Sequence, residues 1–375
     1  MAAIKPEVII RQVEDLPQLT RTHVEPFAAA TRAVLSALPA ASVQRVVTAG
    51  NGDSYHAARA CELAFTSMAG IANEPFSAQR FLDYGVDVLP VAAPDRVLVA
   101  GISASGGTAD VVQLLEKARV RGMKTVAITG ASESAVAQAA EHVLAVPIPD
   151  FGRSPGIRTY QASLMGLLLL AIGIGEHQGR YSAEGAGRLR QELVALGGVI
   201  QATYEACQEP ARAAAQAFRD EPALLFLGSG PSYGTALFSA AKVVEAAGLF
   251  AVGQELEEWW HVERFAYPAE MVTFVIAPPG RSHGRAVELA AEAQRLGRRV
   301  VAVVQEGDEE IGRHAAIVFP VMGAVREAFS PLVYHLCASV FASYVAETLG
   351  RAPFQSDKPL FQAAVDNYYA GRGSR

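Results

Sequence analysis

The stretch Lys242–His261, KVVEAAGLFAVGQELEEWWH, carries the residue types most suited to chemistry in this 375-residue chain. It sets Lys242 and Glu245 ahead of an apolar, strand-like LFAV, then runs through Glu255, Glu257 and Glu258 into Trp259, Trp260 and His261. These are the only two tryptophans in the chain. A solvated helix face accounts for the three later glutamates but gives no reason for the Trp-Trp-His ending. Glu245 and His261 therefore read either as an acid–base pair or as ordinary residues of a helix and a turn. As a pair they suit proton shuttling: a carboxylate can lift and return a proton from carbon, and histidine exchanges protons with oxygen near neutral pH.

A second stretch, Ser103-Ala-Ser-Gly-Gly-Thr108, separates a strand-like RVLVAGIS from a helical ADVVQLLEKARVRG. Ser103, Ser105 and Thr108 can donate to an anion's oxygens, Gly106 and Gly107 allow close backbone approach, and a helix N-terminus favours negative charge. An ordinary N-capped turn uses the same residue types. A glycine turn, GNGDSY, places Gly52, Asp53 and Ser54 before another helical run, with Asp53 or Ser54 as its cap. His56 reads first as a local or core histidine. No GKS or GKT follows a glycine loop, and GNGDSY lacks the third glycine of a dinucleotide fingerprint. HExxH, GxSxG and paired DxD patterns are missing as well, so neither a metal nor an organic cofactor is expected.

The elements that must position these residues are legible from periodicity. The composition, 51% apolar and 19% charged, is that of a globular chain. A formal charge of -6 without a basic stripe argues against nucleic acid. Three dispersed cysteines form neither a ligand set nor a disulfide framework. The N-terminus lacks the apolar core of a signal peptide, and the run near Ala162–Ile174 is too short to span a bilayer, so no membrane role and a cytoplasmic location are expected.

Buried strands are predicted at 43–50, 96–103, 124–130 and 142–148, alternating with helices, after a helical segment over about 6–38 broken at Pro17 and Pro26. The pattern then repeats. Gly50, Gly52, Ser54 and Tyr55 recur 178 residues later as Gly228, Gly230, Ser232 and Tyr233. Strands at MVTFVIA, RRVVAVVQ and AAIVFPV and a helix over about 330–349 complete the second copy. The fold class is α/β, two tandem doubly wound parallel-sheet domains related by duplication. The expected division is 1–40 helical, 41–178 first domain, 179–220 helical connector, 221–350 second domain and 351–375 tail. Shifting the hydroxyl loop by the same 178 residues lands on Arg281–Ala286, where most hydroxyls are gone. One anion site per chain is expected, although Arg281, Ser282 and Arg285 leave room for a second ligand.

GNGDSY, SASGGTAD, GIRTYQAS, GSGPSYGTA and KVVEAAGLFAVGQELEEWWH together resemble the double sugar isomerase (SIS) domain family, over about residues 40–350. That family includes the isomerase half of glucosamine-6-phosphate synthase, fructosamine-6-phosphate deglycases and other phosphosugar isomerases and deaminases. The resemblance implies flavodoxin-like domains and a loop, here Ser103, Ser105, Gly106 and Thr108, that holds a sugar phosphate, with Ser54 near the sugar. It implies that Glu245, three residues after Lys242, shuttles the carbon proton. It further implies that His261, sixteen residues after Glu245, opens the ring. In the family this histidine is delivered to a neighbouring subunit's site, which implies a homodimer at least.

Several positions depart from the family pattern. Asp53 stands for Thr or Ser, Ala104 for a polar loop residue, and Arg158 precedes Thr159 where small residues are usual. Ala364 aligns with a tail lysine, for which Lys358 is a weak substitute. With a start at MAAI and no N-terminal cysteine, glutamine-driven synthesis is not expected. The expected activity is isomerisation or deglycation of a C6-anionic sugar, most simply a 6-phosphate, through an enediol or enediolamine. A 6-sulfonate sugar and a non-catalytic sugar-phosphate sensor are the alternatives, and ELEEWWH leans toward the deglycase branch.

Overall fold

Alternation of buried runs with helices produces two parallel sheets. A computed structural model describes residues 3–88 and 93–373. Strands β1 (Arg45–Gly50), β2 (Ala72–Ser77), β3 (Val97–Ile102), β4 (Lys124–Thr129) and β5 (His142–Ala145) lie in the order β2-β1-β3-β4-β5. Strands β6 (Leu224–Gly228), β7 (Ala251–Glu255), β8 (Val272–Ala277), β9 (Arg299–Gln305) and β10 (Ile317–Val321) lie in the order β10-β9-β8-β6-β7. Read from the opposite edge, the second order repeats the first. The fold is two doubly wound α/β units, as the duplicated sequence pattern implies.

One compact unit comprises Gln18–Asp150 and Arg158–Ala195; the other comprises Phe151–Ile157 and Leu196–Asn367 with the N-terminal residues through Pro17. In each, a helix after the third strand buries one stripe against the sheet. Val111, Leu114, Leu115 and Ala118 of the helix Ala109–Val120 meet Val47, Val99 and Ala127. Ala286, Leu289, Ala290 and Ala293 of the helix His283–Arg295 meet Leu225, Val275 and Ala302. The i, i+3, i+4, i+7 spacing is that of one helix face. On the β6–β10 sheet, Phe226 and Phe274, register partners, stack with centroids 4.3 Å apart.

Sequence and structure part in three places, and a fourth feature, a close pair of thiols, lies outside what the sequence reading addressed. Helix Glu7–Ala37 runs unbroken through Pro17 and Pro26. Val13, Leu16, Leu19, Val24 and Phe27 on it are at most 2% exposed. Five such side chains at about 1.5–3 kcal/mol each outweigh two prolines at about 3 kcal/mol each. Strand β2, ANEPFS, escapes the sequence reading because it is polar and contains Pro75; an edge strand tolerates both. The apolar stretch near Ala162 belongs to a helix, Arg158–His177, whose 20 residues are long and apolar enough to cross a bilayer; 89% of that window is buried inside the protein, as in a core helix. Cys207 and Cys337, remote in sequence, bring their buried free thiols to 2.8 Å.

The core of the β6–β10 unit also holds a histidine. His335 is wholly buried, with its Nδ1 3.3 Å from Ser339 Oγ and its ring edge-on to Phe238. Burial first, and the Lys242 charge after it, push its pKa down to about 3. The unfolded chain takes up this proton near pH 6.5 and the folded chain only near 3, so the stabilisation is complete above about 6.5 and declines as pH falls through that window. Between pH 7 and 4.5 this group is expected to remove about 2–3 kcal/mol of stability. Urea midpoints at the two pH values should show the loss in the wild type and a correspondingly smaller one in His335→Gln; an equal acid loss in both would rule His335 out.

Candidate active site

In a sheet wound this way ligands gather at the carboxyl ends of the strands where the winding reverses. That point lies between β1 and β3 in one unit and between β6 and β8 in the other. The loops there are Asn51–Gly52 with Ser103–Thr108, and Ser229–Gly230 with Pro278–Ser282.

The glycine turns owe their composition to geometry. Gly52 and Gly230 adopt φ 54°, ψ -125° and φ 57°, ψ -126° at the starts of the helices Asp53–Ala60 and Pro231–Ala247. This conformation excludes a side chain. At Gly50 a Cβ would lie 2.5 Å from Ser54 Cβ. Ser54 and Asp53 both fall in the first turn of the helix, and Asp53 Oδ1 lies 3.8 Å from His56 Nδ1. Asn51, which the sequence did not single out, links three elements. Its Nδ2 donates to Asp110 Oδ2 at 3.1 Å, and its Oδ1 accepts from Ala78 N at 3.0 Å. The only hint was that the second copy has Ser229 in its place.

The hydroxyl loop folds onto itself. Ser103 Oγ lies 2.8 Å from Thr108 Oγ1 and accepts from Gly106 N at 3.1 Å, while Ser105 Oγ accepts from Gly107 N at a long 3.4 Å. Thr108 precedes the helix Ala109–Val120, and Gly106 has φ 73°, where a Cβ would collide with Ser134 Oγ at 2.1 Å. Ser103, Ser105, Gly106 and Thr108 thus come together at a helix N-terminus. Arg158, 4% exposed, opens the helix Arg158–His177 and donates from Nη1 to the Pro149 carbonyl at 2.8 Å; Thr159 follows it, its carbonyl accepting from Ser163 Oγ.

In the other unit, Lys242 is 0% exposed on the helix Pro231–Ala247. Its Nζ lies 2.5 Å from Glu245 Oε2 and 4.9 Å from the Phe238 ring centroid. Glu245 is partly exposed, a carboxylate at the surface end of a buried charge. His261 ends the helix Leu256–His261 with its side chain 68% exposed, 3.6 Å from Glu257. The structure joins Lys242 to Glu245 and gives His261 a different partner. Lys358 is exposed and donates to Gln355 at 2.5 Å.

The acidic run now has structural explanations. Glu255 caps the short helix, accepting from Glu257 N at 2.7 Å. Glu257 grips Arg285 with both oxygens, at 2.6 and 2.9 Å, which holds its carboxyl below the usual range. Trp259 is buried in the core, and Trp260 lies beneath Arg285 at 4.3 Å. The Trp-Trp-His ending is a helix anchored by one ring, clamped by the other, and presenting its last side chain outward.

The second loop needs a correction. Arg45 pairs with Val97, but Leu224 pairs with Val272, a span four residues shorter. The constant shift of 178 residues therefore holds through β2 and β7 and fails beyond them. The counterpart of Ser103–Thr108 is Pro278–Ser282, and residues from His283 onward are helix. Here Glu327 supplies an internal anion: Arg281 N and Nη1 donate to its carboxylate at 3.0 and 3.1 Å. Arg285 is likewise committed, to Glu257 and Glu288. Among the described residues no cluster of His, Cys, Asp and Glu is arranged for a metal ion.

Residues 41–173 match the family model for the SIS domain. The isomerizing glutamine–fructose-6-phosphate aminotransferase of Methanothermobacter thermautotrophicus is 28% identical over 318 residues, covering 84% of this chain and 50% of that protein. The chain thus spans about half the length of the curated relatives it matches. Among solved structures, the C-terminal domain of glucosamine-fructose-6-phosphate aminotransferase from Francisella tularensis aligns with TM-score 0.77 at 15% identity, covering 92% of this chain and 97% of that one. Tagatose-6-phosphate ketose/aldose isomerase from Escherichia coli aligns with TM-score 0.69 at 18% identity, covering 92% and 94%. At these identities the structural likeness speaks to the fold. The first sheet is therefore an SIS domain, and the second sheet repeats its winding.

Proposed function

We propose that this protein is a phosphosugar isomerase, moving the carbonyl between C1 and C2 of a hexose 6-phosphate. The observation that carries the reading is Glu245, a partly exposed carboxylate whose charge is held by a fully buried lysine 2.5 Å away. The anion is assigned to the loop, where Ser103, Ser105, Thr108 and the first N–H groups of the helix would meet the phosphate. The long bond from Gly107 N to Ser105 Oγ is the one an arriving oxygen most readily replaces. His261 opens the ring and Glu245 transfers the proton between the two carbons. Phosphate binding far from the reacting carbons serves to orient them. Phosphate is favoured over sulfonate because the relatives are named for fructose and tagatose 6-phosphates.

Amine removal shares the enediol chemistry. The acidic run gives it little support, since Glu255 is a helix cap and Glu257 is bound to Arg285. The partner we propose is a second copy of the chain, docking on the face that carries His261. Val262, Phe265 and Tyr267 beside it are 60%, 66% and 92% exposed, an apolar patch of the kind interfaces cover.

Three outcomes are expected. Glu245→Gln should lower solvent-deuterium incorporation at C1 of fructose 6-phosphate or tagatose 6-phosphate, and at C2 of the aldose formed from it, by about 10²–10⁴-fold. It should keep the thermal shift these ligands produce; undiminished exchange would defeat the assignment. Gly106→Ala should cost about 1–3 kcal/mol from its left-handed backbone and abolish that thermal shift, whereas a retained shift would move the anion elsewhere. Phe265→Glu with Tyr267→Glu should turn a dimer in light scattering into a monomer; an unchanged mass would place the interface on another face.

A further inference from the structure

His261 poses a positioning problem. Its side chain is 68% exposed and meets one carboxylate at 3.6 Å, so little side-chain packing fixes where it points. Its placement must come from the backbone on either side. On the N-terminal side, buried Leu256 and Trp259 and the Glu255 cap hold the short helix. On the C-terminal side the chain leaves the helix at Val262, makes a single 3₁₀ turn at Glu263–Phe265 and reaches Pro268. Within this turn Glu263 O accepts from Ala266 N at 3.0 Å and Pro268 O from Met271 N at 3.3 Å, and each carbonyl oxygen keeps a second lone pair for another donor.

Those oxygens converge on one side chain. Arg298, 5% exposed just before β9, donates from Nη1 to the Pro268 carbonyl at 2.8 Å. Its Nη2 lies 2.9, 3.1 and 2.9 Å from the carbonyls of Glu263, Arg264 and Ala266. Among the described residues no carboxylate forms a salt bridge with it, so these carbonyl dipoles, together with the more distant charge of Glu270, balance its buried charge. A buried cation without a counter-ion is costly unless such bonds satisfy it. The planar fork of guanidinium spans several acceptors at once, which the point charge of a lysine cannot do. Around it, Gln254 ties the Glu263 side chain at 2.7 Å and Arg264 lies over the Phe265 ring.

We propose that Arg298 is the positioning residue for His261, gathering the four carbonyls that follow it so that the imidazole is delivered at one fixed place. The proposal rests on reading His261 as the ring-opening group. It makes the contribution of Arg298 specific to cyclic substrate, because a sugar that cannot close a ring does not need His261.

The experiment compares kcat/KM for fructose 6-phosphate with that for its 5-deoxy analogue, which lacks the hydroxyl needed for ring closure. The proteins are wild type, Arg298→Lys, Ala266→Gly and His261→Asn. Arg298→Lys should lose about 10–100-fold on the cyclic substrate, mainly in kcat, since misplacement by about 1 Å can cost that much, and less than threefold on the analogue. Ala266→Gly, which loosens the same turn while keeping the arginine, should show a smaller loss with the same selectivity, and it carries the test if Arg298→Lys does not fold. An equal loss on both substrates, or no loss on either, overturns the positioning role and leaves Arg298 a structural tie. His261→Asn separates the two readings. If it retains full activity on the cyclic sugar, the ring-opening assignment itself is wrong. If it loses the cyclic activity alone while the loop variants show no selectivity, only the proposal for Arg298 falls.

Discussion

A lysine removed from water is the constraint around which the candidate active site is built. Lys242 is 0% exposed, and an ammonium buried without compensation would cost several kcal/mol. The helix Pro231–Ala247 compensates it with Glu245 one turn on and the Phe238 ring one turn back. Both contacts follow from helical spacing, which sets residues three and four apart on a common face. His335 completes the surroundings by staying neutral, since a second buried cation beside the first would undo the compensation. The outcome is a carboxylate whose inner oxygen is tied to a charge while the group remains partly open to solvent. For a residue proposed to exchange a proton with substrate, that combination matters more than burial alone, because it fixes the carboxylate without sealing it.

Much of this was legible in the sequence because it depends on short-range rules. The glycine turns could be matched between copies because φ near 55° combined with ψ near -125° at Gly52 and Gly230 favours glycine, so the chemistry of the backbone is written directly in the residue type. The central strands were legible because parallel strands buried on both faces read as unbroken apolar runs. The hydroxyl loop and the Lys242–Glu245 spacing were legible for the same local reason. What escaped depends on tertiary context. Strand β2 is polar and contains a proline, so only its position at a sheet edge makes it a strand. The prolines of the first helix were overridden by packing that no window of sequence displays. Arg298 is one of two adjacent arginines at the start of a strand, and nothing in the pattern RRVV distinguishes the one that turns inward from Arg299.

The two copies also show how duplication misleads when it is treated as rigid. The order of helices and strands persisted, while the span from β6 to β8 is four residues shorter than that from β1 to β3, enough to move the second loop off the expected register. Once placed correctly, that loop explains its own loss of hydroxyls. The loop ahead of each helix presents backbone N–H groups, those of Gly106 and Gly107 in one copy and of Arg281 in the other, that need acceptors. In the β1–β5 unit serine hydroxyls take that part, and under the proposed function a phosphate replaces one of them. In the β6–β10 unit the Glu327 carboxylate takes it permanently, at 3.0 Å from Arg281 N. The same electrostatic demand is thus met in one copy by neutral groups that a ligand can displace and in the other by a tethered anion. An internal carboxylate is present at an effective concentration that free phosphate cannot match. The asymmetry therefore favours one exchangeable anion site per chain and lets the second unit keep the glycine turn and helix as scaffold for Glu245 and His261.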